Sequence, residues 1–132
     1  MKLENFFSFI IYFLITIFIL INFYSFYEEK LYPAYLSYYT DCPPENLNQT
    51  QFLSERGYYV SATFNPNDNN ITLITPDESS IKHEFCHLKQ KLYGRFYSCN
   101  QPVFKYLNEL EAYISEDFPN NLYFKIYGNY SI

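Results

Sequence analysis

The sequence predicts an α+β protein in which an N-terminal transmembrane helix is followed by a small domain with a short β-hairpin and two helices. Three observations predict this class: an uncharged apolar run, two β-branched and aromatic segments on either side of dense turn residues, and two later segments with apolar residues at helical spacing. The expected organisation is an N-terminal flank at residues 1–5, a transmembrane segment at 6–27, a juxtamembrane segment at 28–56 and a folded domain at 57–132.

The transmembrane prediction depends on residues 6–27, FFSFIIYFLITIFILINFYSFY, which contain no charge. About 20 apolar residues are needed for a helix to cross the hydrocarbon core. The run is longer than the apolar part of a typical cleaved signal peptide and no small-x-small cleavage site follows it. We therefore expect an uncleaved signal-anchor, with an ordinary signal peptide as the alternative.

Charges on the two sides of this segment give a weak orientation signal. Lys2 precedes the span, whereas Glu28, Glu29 and Lys30 follow it. Positive residues favour the cytoplasmic side. The expected protein is single-pass, with its C-terminal domain outside the cytoplasm.

Composition limits the class of partner. About 100 residues remain outside the span, close to the size at which one apolar core is sufficient. The net charge is −5 and the chain has no basic cluster. Nucleic acid is therefore excluded as an expected partner.

The cysteines are Cys42, Cys86 and Cys99. No two of them form a CxxC pair, which argues against a cysteine zinc knuckle. Outside the cytoplasm one disulfide is expected, with one thiol left over. Both the Cys42–Cys99 and the Cys86–Cys99 pairings are compatible with the sequence.

The first elements after the span follow from turn residues. The juxtamembrane segment is expected to break at Pro43-Pro44. Residues 57–64 and 71–75 are rich in β-branched and aromatic residues, and the intervening NPNDNN at 65–70 is typical of a turn. These residues predict a β-hairpin.

Two helices and a tail complete the domain. TPDESS is a helix start, and Gly94 is a fitting stop; Pro102 suits the first turn of the second helix. The tail NLYFKIYGNYSI is expected to be a strand or a docking extension. The apolar positions of the first helix are Ile81, Phe85, Leu88 and Leu92. Of these, Phe85 and Leu88 are expected in the core. The apolar positions of the second helix are Val103, Tyr106, Leu107, Leu110 and Ile114.

Both histidines of the chain lie in the first of these helices, in HEFCH. His83 and His87 are four residues apart and therefore share one face of a helix. Imidazole nitrogens are zinc ligands, and a catalytic zinc has three protein ligands and an open position. Glu84 is about 100° further round the helix, so it can flank the metal and accept a proton from the activated water. This is the H-E-x-x-H arrangement of metalloproteases.

A third ligand is required, and the chain has no further histidine. NELEAY on the second helix offers Glu109 and Glu111, which are two residues apart, so only one of them can face the metal. H-E-x-x-H followed about twenty residues later by N-E-x-x-[SA] resembles the gluzincin metalloproteases, the thermolysin-like group. With Ala112 as the small residue, this resemblance implies Glu109 as the ligand, and Glu111 becomes a solvated surface carboxylate.

The wider strings HExxHxxQ and ExEAY are similar to those of small bacterial and archaeal membrane-associated proteins, and Gln90 and Tyr113 fit that variant. Tyr113 occupies the position where thermolysin-like proteins have an aspartate that supports a ligand histidine. Either the Tyr113 hydroxyl or a backbone carbonyl is expected to take over this role. The resemblance covers residues 81–115.

Two further side-chain roles are left open by the sequence. Cys86 is close to the metal face. A core or disulfide role is expected for it, because a fourth protein ligand would close the site. A thiolate ligand is the alternative. An oxyanion donor is also expected, for which Tyr93, Tyr97 and Tyr113 are candidates.

The resemblance implies a zincin-like domain with one catalytic Zn²⁺ held by His83, His87 and Glu109, which hydrolyses peptide bonds with Glu84 as general base. The expected partners are a peptide or protein substrate, which can pair with a strand of the hairpin, and the membrane, through residues 6–27. The alternative is a catalytically inactive, membrane-anchored interaction protein with a structural or vestigial zinc site.

Overall fold

A computed structural model describes residues 2–45, 48–75 and 77–130, without the side chain of Thr50, and it confirms the α+β class. The longest element is a continuous helix formed by α1 (Leu3–Phe26), a π-helical segment (Tyr27–Leu31) and α2 (Tyr32–Asp41). It is long and apolar enough to cross a membrane, and it has the features of a span or of a signal sequence. The large apolar side chains of α1 are mostly exposed.

The π-helical segment has a local cause. Pro33 lies inside the continuous helix, where a proline has no N–H to donate and its ring clashes with the carbonyl four residues earlier, which belongs to Glu29. A π-helical turn widens the backbone at this place. The widening lets the helix continue past Pro33 until Asp41, and the chain then turns at Cys42 and Pro43-Pro44, as predicted.

The described start of the segment at residues 28–56, which was expected to connect the span and the domain, is packed against the domain. Helix α2 runs along α5 (Pro102–Ser115). A Cys42–Cys99 disulfide joins the end of α2 to the loop before α5 and decides between the two predicted pairings. The short helix α3 (Gln49–Glu55) follows, capped by the Asn48 side chain.

The hairpin is present but shorter than predicted. Strand β1 (Ala62–Asn65) pairs antiparallel with β2 (Asn70–Leu73), with Asn65 opposite Asn70. Residues 57–61 lie outside the strand. The turn between the strands includes Asn69 at a φ of 60°, a left-handed conformation that asparagine tolerates.

Helix α4 (Glu78–Leu92) begins and ends as predicted. The Asp77 side chain accepts a hydrogen bond from the Ser80 amide at its start, and Gly94 adopts a φ of +75° just after its end. Pro76 of the predicted start signal lies outside the described residues. Phe85 is buried and Leu88 packs against the core, whereas Leu92 is exposed.

Helix α5 buries a different face from the one predicted. Val103 and Leu107 of the predicted apolar face are 68% and 47% exposed. The buried face is largely polar and includes Lys105, Asn108, Glu109, Ala112 and Ser115. It lies against α2 and α4, so the polar residues of this helix are the ones enclosed by the fold.

The C-terminal tail forms a helix, so the strand alternative was wrong. Helix α6 (Asn120–Tyr127) docks on α4. Tyr123 and Tyr127 join Phe85, Cys86 and Ala112 in the apolar core. Ser131 and Ile132 of the predicted tail lie outside the described residues.

Candidate metal centre

His83, His87 and Glu109 meet between α4 and α5. The helical spacing places both imidazoles on the side of α4 that faces α5, with ring centroids 4.9 Å apart. All three side chains are buried, and one potential ligand atom from each lies within 4.8 Å of the others. This group could bind a metal ion.

A single carboxylate oxygen is the centre of the cluster. Glu109 Oε2 lies 3.4 Å from His83 Nε2 and 3.1 Å from His87 Nε2. Ser37 of α2 donates a 2.9 Å hydrogen bond to the same oxygen. The other oxygen, Oε1, is 3.7 Å from the Lys105 ammonium, which is also 3.2 Å from Asp41. Contacts to both oxygens therefore fix the orientation of the Glu109 carboxylate.

The outer ring nitrogens have side-chain acceptors. His83 Nδ1 is 2.9 Å from Glu116 Oε1, and His87 Nδ1 is 2.8 Å from Gln90 Oε1. These oxygens accept hydrogen bonds, so each Nδ1 carries the proton and each Nε2 is directed at Glu109. Metal-ligating histidines usually make such a second hydrogen bond. Glu116 thus provides the support expected from the Tyr113 hydroxyl or a backbone carbonyl, and that expectation was wrong.

The short distances within the cluster shift the pKa values of both histidines and of Glu109. Burial lowers the pKa of His83, but hydrogen bonds to Glu109 and Glu116 outweigh it and raise that pKa to about 10. The pKa of His87 is also raised, because the attraction of Glu109 exceeds the effect of burial. Burial raises the pKa of Glu109, yet the two histidines hold it well below its usual range. Without a metal, the raised pKa of His83 therefore favours a proton between its Nε2 and the Glu109 carboxylate.

The donor set fits a divalent cation. A tetrahedral zinc ion, with Zn–N and Zn–O distances of about 2.0–2.2 Å, separates its ligand atoms by about 3.3 Å. The observed 3.4 and 3.1 Å separations are close to that value. A cation bound by these atoms would replace the proton between His83 and Glu109.

Glu84 lies beside the cluster, on the wall of a pocket of about 130 Å³ that His83, His87 and Glu109 also line. Its side chain is largely buried, and it accepts no hydrogen bond from the described residues. Burial raises the pKa of the Glu84 carboxyl, against the opposing effect of the two histidines. A carboxyl with a raised pKa is suited to accept and release a proton near neutral pH.

Two tyrosine hydroxyls border the same pocket. The Tyr113 ring packs edge-on against His83, with centroids 4.4 Å apart, and its hydroxyl is 3.5 Å from that of Tyr58. Burial raises the pKa of both hydroxyls, so they stay protonated and can donate. Of the other predicted oxyanion donors, Tyr93 is exposed and Tyr97 packs on Phe104.

Strand β1 forms the opposite wall of the pocket. One edge of β1 pairs with β2, and residues of β1, among them Ala62 and Phe64, line the pocket. Residues of α2, α4, α5 and β1 therefore line one pocket together with the candidate ligands.

Glu111 and Cys86 lie outside the cluster. Glu111 is partly buried, in contrast to the solvated carboxylate expected, because it pairs with Arg95 at 2.7 Å and accepts a 2.7 Å hydrogen bond from Gln90. Cys86 is buried in the apolar core as a free thiol. The core role predicted for Cys86 is therefore confirmed.

Some residues of the site were not predicted. Glu116 follows Glu109 by seven residues, which is two helical turns, so its shared face was a usable signal. Lys105 precedes Glu109 by four residues on the same helix, so its position was a usable signal too. Ser37 and Tyr58 had no signal, because their proximity to Glu109 and Tyr113 depends on how distant segments pack.

Comparison with protein-family models, with curated proteins and with solved structures gives no match to this chain. The cluster of His83, His87 and Glu109 does not by itself assign the chain to a family.

Proposed function

We propose that this chain is a membrane-anchored, zinc-dependent metallopeptidase with a gluzincin-type site. One observation carries the proposal: three potential metal ligands and a separate buried carboxylate, Glu84, line one pocket. Three protein ligands leave a coordination position open, which is the arrangement of catalytic rather than structural zinc sites.

His83, His87 and Glu109 would hold the metal. When bound, zinc supplies a Lewis acid that lowers the pKa of water and polarises a carbonyl group. Glu116 and Gln90 keep the two imidazoles oriented through their Nδ1 atoms.

Glu84 acts as the general base and then as the general acid. It takes a proton from the attacking water, whose oxygen adds to the carbonyl carbon of the substrate. It then gives this proton to the amine nitrogen as the carbon–nitrogen bond breaks. The hydroxyls of Tyr58 and Tyr113 are the nearby neutral donors for the negative charge that develops on the carbonyl oxygen.

An extended peptide suits the shape of the cleft. The edge of β1 not used by β2 can bind a substrate segment by strand addition, in which backbone hydrogen bonds supply affinity and side-chain contacts supply selectivity. Ala62 and Phe64 line the same pocket as Glu84, so a segment bound along this edge would lie near the proposed general base. A peptide bond is therefore a better fit than a sugar or a phosphate ester.

Metal content tests the ligand assignment. The full chain is purified in detergent and its zinc content per chain is measured for wild type, Glu109→Gln and Glu111→Gln. We expect about one zinc per chain in wild type and Glu111→Gln, and loss of zinc in Glu109→Gln. Glu111→Gln is a matched control, because it changes a carboxylate on the same helix and keeps an oxygen for Gln90. A folded wild type that takes up no zinc would reject the metal site.

Hydrolysis of a peptide library tests the reaction. Glu84→Gln should keep zinc and lower the rate of peptide hydrolysis by about 10²–10⁴-fold, since this is the usual contribution of a general acid–base group. Stoichiometric zinc without hydrolysis in wild type would favour the anchored interaction protein with a structural metal.

A further inference from the structure

The apolar helix and the candidate metal centre are joined without a flexible linker. The helix from Leu3 to Asp41 is continuous, and Ser37 near its end donates a hydrogen bond to Glu109 Oε2. The last uncharged residue of the apolar run is Tyr27, ten residues before Ser37. At 1.5 Å per residue, Ser37 lies at most about 15 Å beyond the end of the run.

Contacts at the base of the domain make this distance rigid. Lys30 is nearly buried, and its ammonium donates a 2.8 Å hydrogen bond to the Tyr113 carbonyl and pairs with Asp117 at 2.7 Å. Tyr106 of α5 donates a 2.9 Å hydrogen bond to the Leu31 carbonyl. The first turns after the apolar run are thus attached to α5, the helix that carries Glu109.

The end of α5 also approaches the apolar run itself. Ser25 and Phe26 border the same surface pocket as Ile114 and Phe118. The domain therefore sits directly on the end of the apolar helix. With that helix in a bilayer, the domain has no freedom to rise away from the surface or to tumble.

We infer that, if the proposed function is correct, the preferred substrates are polypeptides anchored in the same membrane and cut in an extended segment close to the bilayer. An extended chain advances about 3.3 Å per residue, so about five residues span 15 Å. A flexible coil needs about nine residues to reach the same distance, so the scissile bond should lie about five to twelve residues from the substrate's own apolar segment. A more distant bond reaches the cleft only if the intervening chain folds back.

The test uses the full chain in phospholipid vesicles with zinc. The substrate is a transmembrane segment followed by an unstructured spacer of about 40 residues with randomised sequence, made in two forms that are anchored at either end. The same spacer without an anchor serves as the matched control. Mass spectrometry of the products gives the distance of each cleaved bond from the anchor.

In at least one of the two anchored forms, we expect the cleaved bonds to cluster within about twelve residues of the apolar segment. The free spacer should be cut along its whole length and more slowly. Cuts spread evenly along the anchored spacer would overturn the membrane-proximal inference and leave the peptidase proposal intact. No cleavage of any form by the zinc-loaded chain would overturn the proposed function, and the inference with it.

Discussion

Each histidine of the candidate metal centre uses its two ring nitrogens for different purposes. The Nδ1 atoms are bound to Glu116 and Gln90, and the Nε2 atoms are directed at one oxygen of Glu109. The ring orientations are therefore set before a metal arrives. Removal of a side chain that orients a ligand in this way normally weakens metal binding.

Glu116 is the clearest place to measure this support. Glu116→Ala should weaken zinc binding by about 10–100-fold, because His83 loses the acceptor of its Nδ1 proton. Glu116→Gln should be affected less, since its amide oxygen can still accept that proton. Competition with a fluorescent chelator measures both affinities, and a wild-type affinity in Glu116→Ala would show that the hydrogen bond does not support the ligand.

The pKa of His83 predicts opposite pH trends for metal-free and metal-bound protein. Its folded-state pKa of about 10 exceeds the ordinary 6.5. Proton binding therefore stabilises the metal-free fold below about pH 6.5, and this stabilisation is lost as the pH rises towards 10. Zinc needs the unprotonated nitrogen, so its stabilising effect should grow over the same range.

Thermal unfolding in detergent, with and without chelator-buffered zinc, measures both trends. The unfolding temperature of the metal-free protein should fall from about pH 6.5 to about pH 9.5. The unfolding temperature of metal-free His83→Gln should fall less over this range, since His87 is then the one histidine left in the chain. Equal changes in the two proteins would contradict the assignment to His83.

The sequence predicted the residues of the site whose relation is local. His83, Glu84 and His87 follow from spacing along one helix, and the resemblance to a known motif chose Glu109. Ser37 and Tyr58 were not predictable, because contacts between residues so far apart in the chain have no periodic signal. A histidine was expected to be supported by the Tyr113 hydroxyl or by a backbone carbonyl, but Glu116 lies at the His83 Nδ1 and Tyr113 contacts His83 with its ring.

Helix α5 shows what limits prediction at the level of an element. Its apolar periodicity correctly indicated a helix, yet Val103 and Leu107 are exposed, while Lys105 and Asn108 are buried. Periodicity identifies the faces of a helix but not what lies against each one. Here α2 and α4 bring Ser37 and the histidines, so the polar face of α5 is enclosed.

The disulfide is the covalent connection between α2 and the loop before α5. It closes a segment with a sequence separation of 57 residues, and the loop-entropy relation gives about 4 kcal/mol of stabilisation for this length. Replacing Cys42 and Cys99 by alanine should lower the unfolding temperature by more than about 10 °C, given about 4–8 °C per kcal/mol for a domain of this size.

Reducing agent provides the control for the disulfide prediction. It should destabilise wild type and Cys86→Ala, which retains the disulfide, and leave the double alanine variant unchanged. A double variant as stable as wild type would show that the packing of α2 on α5 is sufficient without the covalent bond.

For the whole molecule, the exposed apolar helix makes a clear prediction about membrane retention. The mature chain should keep residues 6–27, as shown by its intact mass, and should resist extraction by alkaline carbonate. Leu14→Arg combined with Phe18→Arg should release it, since each charge at the centre of a span costs about 2.5–3.5 kcal/mol on the insertion scale. A mature chain that has lost these residues would identify them as a signal sequence.

The contact between Ser37 and Glu109 joins residues separated by 72 positions. During synthesis the N-terminal helix is made first, and it has no α5 to pack on until the last third of the chain has emerged. Long-range contacts of this kind form late in folding. The candidate metal centre is therefore assembled only after most of the chain has been synthesised. If the apolar helix inserts into a membrane during synthesis, it would do so before the centre is complete.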